Sequence, residues 1–259
     1  MANLVTWWDE GPTRHIVLDR PAQKNALSMD LLHELEVALQ PPSEGVIKLV
    51  FLSGRDGVFS AGADLNDIQG SEADAAYDDQ VTAVTEAIAA FPGLVVAVIE
   101  GPCMGAAVHL ALACDLRIAD ETAKINIPAA RLGLLYNPDA IRRIHPKLPA
   151  ETLTRLLVLG ETFSADAAMH AGLISDVRAQ EGLEAHKNQL IDQMAANDAD
   201  AVALSKSLLR DLDQGTADPA KWKATYLALL GTESRAEAVA RAKSKLGLAG
   251  TKTSQRAAE

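Results

Sequence analysis

Leu94-Val95-Val96-Ala97-Val98-Ile99, running on into Glu100-Gly101-Pro102-Cys103-Met104-Gly105-Ala106-Ala107-Val108-His109, decides the fold. The first six residues are apolar and mostly β-branched, and turn residues bound them, which reads as a buried strand. Small apolar residues from Gly105 to Ala113 read as a buried helix. Working outward, Ile16-Val17-Leu18 and Val46-Ile47-Lys48-Leu49-Val50-Phe51-Leu52 are two more strands of the same kind. Between them Ser28 caps a segment in which Leu31, Leu32, Leu35 and Leu39 share one helical face, and Pro41-Pro42 stops it. Strands alternating with helices imply an α/β domain. The second half reads as helices over Pro149–Leu159, Ser164–Ala171, Glu184–Ala196, Ala201–Asp213 and Pro219–Leu246, with a strand at Leu173-Ile174-Ser175-Asp176-Val177. A polar end follows Gly250.

The 259 residues, 48% apolar and 23% charged, exclude disorder as the main state and suffice for one large domain with or without an appendage. Two cysteines, Cys103 and Cys114, make neither a disulfide framework nor a C-x-x-C site, so a reducing, cytoplasmic setting is expected. The first ten residues lack the basic and apolar regions of a signal peptide. The run Leu94–Ile99 ends at Glu100, far short of the roughly 20 residues a membrane span needs. A net charge of −11 argues against nucleic acid as a partner. The charge is uneven: from Lys221 onward the chain carries +5, the rest −16. That basic end reads as a solvated helix face or as a site for a small phosphorylated ligand. Trp7, Trp8 and Trp222 read as packing residues.

Two segments could carry chemistry. In Gly57-Val58-Phe59-Ser60-Ala61-Gly62-Ala63-Asp64-Leu65, small residues let the backbone approach a ligand, and Gly62 permits a conformation that turns successive N–H groups to one point. The plainer reading is a surface turn into a helix capped by Asp64. Gly105, Ala106 and Ala107 open a helix whose first N–H groups lack internal partners at its positive end; tight helix–sheet packing would demand the same small residues. Together the two segments describe a site that stabilises a negatively charged carbonyl oxygen. Ser60, His109 and Asp64 do not make a hydrolase triad without a G-x-S-x-G turn, and no phosphate-loop or dinucleotide motif is present. His109 has Ala113, not a metal ligand, one helical turn on.

Leu18-Asp19-Arg20-Pro21-Ala22-Gln23-Lys24-Asn25-Ala26-Leu27, then Phe59-Ser60-Ala61-Gly62-Ala63-Asp64-Leu65, then Gly105-Ala106-Ala107 ahead of Ala113-Cys114-Asp115-Leu116-Arg117-Ile118-Ala119, resemble the enoyl-CoA hydratase/isomerase (crotonase) superfamily in order and spacing. The resemblance implies an α/β fold, a crotonase-like spiral of ββα units over residues 1–197. Residues 198–259 would be a helical region for trimerisation and a lid over coenzyme A, in a homotrimer or dimer of trimers. It implies an acyl-CoA substrate of fatty acid metabolism, with coenzyme A as part of the substrate and no metal or permanently bound cofactor. By motif, the oxyanion hole would be the backbone N–H groups of Ala63 and Ala106. Lys24, Ala26, Ala61, Gly62, Asp64 and Leu65 would line the coenzyme A moiety. Met104, Gly105, Pro128, Ala129 and Leu132 would line the remainder of the substrate site. Lys223 and Lys243 on the basic C-terminal helix would meet its phosphates.

The resemblance breaks at the acid/base positions. The two glutamates that activate water in hydratases are His109 and Ala129 here, and losing either normally costs roughly 10²–10⁴-fold. Standard hydration is therefore not expected. His109 lies one turn beyond Gly105, where the helix terminus favours a neutral imidazole that could act as a base; a packed core histidine is the alternative. Asn137 stands where dienoyl isomerases can carry an acid. Tyr136 resembles a tyrosine of the methylmalonyl-CoA decarboxylase branch, although that branch has a histidine in place of Ala63; otherwise Tyr136 is a loop aromatic and Asp139 a helix cap. Three functions follow: an enzyme that stabilises a thioester enolate and moves protons through His109 with Tyr136, a catalytically silent acyl-CoA carrier or sensor, or a decarboxylase-like enzyme.

Overall fold

The strands of the computed structural model, which describes residues 3–246 and residue 248, are β1 (Val5–Glu10), β2 (Thr13–Leu18), β3 (Leu49–Gly54), β4 (Leu94–Ile99), β5 (Pro102–Met104), β6 (Leu116–Asp120), β7 (Lys124–Asn126), β8 (Phe163–Ser164) and β9 (Asp176–Arg178). Six form a sheet in the order β1-β2-β3-β4-β6-β9, in which only the β1–β2 pair is antiparallel. β5, β7 and β8 make a small second sheet. The helices are α1 (Met29–Ala38), α2 (Ala75–Ala90), α3 (Ala106–Ala113), α4 (Pro138–Ile144), α5 (Ala150–Leu153), α6 (Ala165–His170), α7 (Gln180–Ala196), α8 (Ala199–Asp213), α9 (Pro219–Leu230) and α10 (Glu233–Lys245). A π-helical turn, Thr154–Val158, continues α5.

The central strands are apolar throughout because both faces of the sheet are covered. Val95, Ala97 and Ile99 of β4, with Val50 and Leu52 of β3, enter the larger core with Leu31, Leu32 and Leu35 of α1 and Val81, Val84 and Ile88 of α2. The alternate residues Val96, Val98, Leu49 and Phe51 pack on Leu183, Leu190 and Met194 of α7. Each such buried side chain contributes about 1.5–3 kcal/mol before chain entropy is counted. α1 starts where Ser28 accepts a hydrogen bond from the Leu31 N–H at 3.3 Å.

The α/β reading holds, and so do β4, α1 and α3. Several local expectations change. Val46, Ile47 and Lys48 precede β3 rather than belong to it. Pro219–Leu246 is two helices, because Thr232 caps a new one through the Arg235 N–H. β1 is an edge strand, so Trp7 and Trp8 are 45% and 42% exposed instead of packed in a core; Trp7 stacks on the Arg14 guanidinium and Trp8 on His15. Asp64 starts no helix, and Asn137, not Asp139, caps α4.

The chain divides into two compact units, the first ending at Asp213 and the second beginning at Gln214, where sequence had suggested a division after residue 197. α8 belongs to the first unit, its Lys206 bonded to the Gly93 carbonyl at 3.0 Å and to Asp115 at 2.7 Å. The second unit contains α9, started by the Asp218 cap and Pro219, and α10. The expected polar end after Gly250, with Lys252 and Arg256 of the basic tail, lies outside the described residues. No helix among the described residues is long and apolar enough to cross a membrane.

Candidate active site

Two loops leave the carboxyl ends of adjacent parallel strands, one after β3 and one after β4, and backbone pairing fastens them together. Ser60 N–H donates to the Pro102 carbonyl at 3.0 Å, and Met104 N–H donates to the Ser60 carbonyl at 3.1 Å. Residues 60–64 therefore run beside residues 102–106. Gly62 (φ +90°) lies so close that a Cβ built on it would stand 2.5 Å from the Met104 carbonyl oxygen and 3.6 Å from the Ala106 nitrogen. A side chain there would push the loops apart, which is the physical reason for the glycine.

On its other side the 60–64 loop is held by Leu27, whose N–H donates to the Gly62 carbonyl at 2.8 Å and whose carbonyl accepts from the Asp64 N–H at 3.1 Å. These bonds leave the intervening Ala63 N–H unused. Ala106 is the first residue of α3, where an N–H has no intrahelical acceptor. Among the described residues, neither Ala63 N–H nor Ala106 N–H has an acceptor. Gly62, next to Ala63, thus lies beside Ala106 at the positive end of α3.

The remaining residues singled out in the sequence fall into four places. Lys24 is exposed with φ +51°, its carbonyl accepting from Ala61 N–H at 2.9 Å, and Ala26 is buried beside it. Asp64 is buried and engaged: its Oδ2 accepts from Arg20 at 2.8 Å and its Oδ1 from the Asn66 N–H at 3.0 Å. The Asn66 N–H first, and Arg20 after it, hold this carboxyl below its ordinary range despite burial. Leu65 is exposed. Pro128 and Ala129 follow β7, which pairs with β5, and Gly105 N–H donates to the Asn126 carbonyl at 2.8 Å, so this turn abuts the start of α3. Ala129 is buried, while Leu132, at the end of the same turn, is exposed. Lys223 and Lys243 are exposed on α9 and α10 of the second unit.

His109 is 4% exposed, and its Nε2 has no hydrogen-bond partner. Burial first, then the charges of Arg143 and Lys147, lowers its pKa to about 4, so the ring is neutral at physiological pH. Tyr136 stands edge-on to it with ring centres 6.3 Å apart, and the Tyr136 hydroxyl donates to the Gly105 carbonyl at 3.4 Å. The structure thus brings His109, Tyr136, Gly105 and Ala106 into one corner.

Asp78 is a partly buried carboxyl that the sequence reading did not single out. It lies on α2 within a stripe that continues inward through Val81, Thr85 and Ile88, so a carboxylate on the inward side of a helix was the available signal. Asp78 is half-buried, and desolvation first of all raises its pKa, while the Asn137 side chain works in the opposite direction. No group of three or more histidine, cysteine or acidic residues among the described residues is arranged to hold a metal ion.

A family model described as enoyl-CoA hydratase/isomerase matches residues 13–239. The 2,3-dehydroadipyl-CoA hydratase of Escherichia coli (strain K12) is 30% identical over 230 residues, covering 86% of this chain and 89% of that protein. A Thermobifida fusca YX structure solved in complex with acetoacetyl-CoA is 26% identical, with a TM-score of 0.75 over 88% of this chain and 95% of that one. An enoyl-CoA hydratase/carnithine racemase structure from Magnetospirillum magneticum shares the fold, with a TM-score of 0.89 at 24% identity over 95% and 94% of the two chains.

Proposed function

The chain belongs to the enoyl-CoA hydratase/isomerase family, and from that membership we propose that it binds an acyl-CoA thioester with the carbonyl oxygen between the Ala63 and Ala106 N–H groups. The observation that carries the reading is a pair of backbone N–H groups without acceptors, one next to Gly62 and the other opening the buried helix that Gly62 approaches. Donors fixed in advance stabilise the enolate oxygen that develops when a proton leaves the α-carbon, and each is worth roughly 10²–10³-fold in rate. His109 accepts that proton. Its neutral state and unpartnered Nε2 suit the task, and Tyr136, bonded to the Gly105 carbonyl, fixes the ring from its edge. With Ala129 in place of a carboxylate, this pair of residues does not activate water as two glutamates would.

The test is incubation of the purified protein with enoyl-, 3-enoyl- and 2-carboxyacyl-CoA thioesters, read by mass spectrometry beside His109→Ala. Conversion that depends on His109 supports the reading, and full turnover by His109→Ala refutes it. A second reading, an acyl-CoA carrier without chemistry, is favoured by how completely His109 is enclosed; it predicts saturable binding of all these thioesters and conversion of none. Loss of carbon dioxide from the 2-carboxyacyl substrates alone would move the assignment to a decarboxylase. Assembly into a trimer or pair of trimers belongs to the same proposal, and sedimentation equilibrium measures it.

A further inference from the structure

Ala63 and the peptide groups on either side of it run alongside Leu27 as a short piece of parallel ladder. Leu27 N–H donates to the Gly62 carbonyl at 2.8 Å, and Asp64 N–H donates to the Leu27 carbonyl at 3.1 Å. Successive groups along such a ladder point to opposite sides, so with Gly62 and Asp64 turned toward Leu27 the Ala63 N–H is turned away from it. The direction of that donor therefore follows the position of Leu27. A carbonyl oxygen has two lone pairs, and the second at Leu27 is taken from outside the loop: the Tyr77 hydroxyl donates to it at 2.8 Å.

Tyr77 belongs to the first turn of α2 and is 5% exposed. Burial, above all, raises its pKa, so the hydroxyl keeps the proton that it donates. The approach to the helix is itself fastened. Asp74 accepts the Gln69 N–H at 2.7 Å and the Gly70 N–H at 2.8 Å, and Asp67 accepts the Met29 N–H, at the start of α1, at 2.9 Å. Further along, Val81, Val84 and Ile88 of α2 share the larger core with Ala107, Leu110 and Ala111 of α3, and the two helices are in contact. One helix thus reaches Leu27, beside the Ala63 donor, at its start and braces α3, which opens with the Ala106 donor, along its length.

We infer that Tyr77 is a positioning residue: through its hydroxyl, α2 sets where the Ala63 N–H stands relative to α3, and so how strongly the site polarises a thioester carbonyl. The inference rests on the acyl-CoA reading above, and it gives the hydroxyl no contact with substrate. A side chain that served only to fill the core would need no hydroxyl, since phenylalanine buries the same ring without an oxygen to satisfy. Donors fixed in advance lose their effect steeply when displaced, and a misplacement of about 1 Å can cost roughly 10²-fold in rate.

The test is infrared spectroscopy of butyryl-CoA with an isotopically labelled thioester carbonyl, bound to wild type and to Tyr77→Phe. The band of a carbonyl that accepts hydrogen bonds moves to lower frequency, whether or not turnover follows. Tyr77→Phe is expected to bind butyryl-CoA with near wild-type affinity while the band moves back toward that of the free thioester. Exchange of the α-proton in D₂O, followed in parallel, is expected to fall roughly 10- to 10²-fold in kcat with KM little changed. Thr152→Val is the control. Thr152 is also buried and donates its hydroxyl to a main-chain carbonyl, that of Ala171 at 3.1 Å, and its loss is expected to leave band and exchange at wild-type values. A wild-type band in Tyr77→Phe overturns the inference and leaves the acyl-CoA reading intact. So does an equal displacement of the band in Thr152→Val, which marks a general loosening. A wild-type protein that fails to bind butyryl-CoA, or whose bound carbonyl stays at the free frequency, overturns both.

Discussion

Replacing Gly62 with alanine tests whether the two loops owe their geometry to the absence of one methyl group. The added carbon stands 2.5 Å from the Met104 carbonyl oxygen and 3.2 Å from the carbonyl carbon. Both are backbone atoms, so relief comes only by moving a loop, at about 1–3 kcal/mol for overpacking of this kind. The backbone there has φ +90°, which adds about 1–2 kcal/mol for a residue bearing a Cβ. Gly11→Ala separates the two contributions, since Gly11 has φ +59° and nothing within 4 Å of the added carbon. Gly62→Ala is thus expected to cost about 2–5 kcal/mol and Gly11→Ala about 1–2 kcal/mol, at roughly 2–4 °C of melting temperature per kcal/mol for a domain this size. Urea unfolding followed by circular dichroism measures both. In the same variant the Ala63 and Ala106 N–H groups part, and turnover falls roughly 10²–10³-fold for each donor displaced. Equal destabilisation by the two substitutions, or wild-type turnover by Gly62→Ala, would refute the reasoning.

Three further outcomes are expected. His109 has a folded pKa below its unfolded value of 6.5, so the unfolded chain binds more protons between pH 6.5 and about 4, and stability falls as pH drops through that window. The loss attributable to His109 reaches up to about 3 kcal/mol; the difference between wild type and His109→Leu, by chemical unfolding at pH 7 and pH 4.5, isolates it. Asn25 is fully buried at φ +54°, donates to the Arg55 and Val58 carbonyls at 2.9 and 2.6 Å, and accepts the Arg20 N–H at 3.0 Å. Asn25→Ala leaves those groups unpaired and is expected to cost about 2–4 kcal/mol in the same unfolding assay. Arg14, 2% exposed, holds both oxygens of Asp9 and the Ala38 and Gln40 carbonyls, so Arg14→Met is expected to cost about 3–5 kcal/mol by thermal melting, with Asp9→Asn in the same background partly offsetting the loss.

What sequence showed of this molecule depended on whether the cause was local. β4 was legible because a strand covered on both faces has no polar residue to interrupt it, and α1 because Ser28 and the leucine stripe agree on its start and its face. β1 was not recognised, since an edge strand with two exposed tryptophans has neither a buried run nor an alternation that favours one face. The break between α9 and α10 lay in the Gly231-Thr232 pair, a stop followed by a cap, within a composition that is otherwise helical throughout. At the site, the glycine and alanine loops stood out because small residues that serve backbone geometry coincided with a family resemblance in their order and spacing. The bond from the Tyr136 hydroxyl to the Gly105 carbonyl did not, because it exists only after two segments far apart in sequence have packed.

The unused donors at Ala63 and Ala106 belong to the main chain, and that has a consequence for how such a protein changes over time. No substitution at 63 or 106, short of proline, deletes an N–H group, whereas one nucleotide change can remove the imidazole at 109 or the phenol at 136. In the proposed site the polarising part is therefore written in the path of the backbone, with Gly62 its most constrained letter, and the proposed proton-moving part in exchangeable side chains. If the proposed site holds, a lineage can alter which atoms gain and lose protons while the carbonyl keeps its two donors.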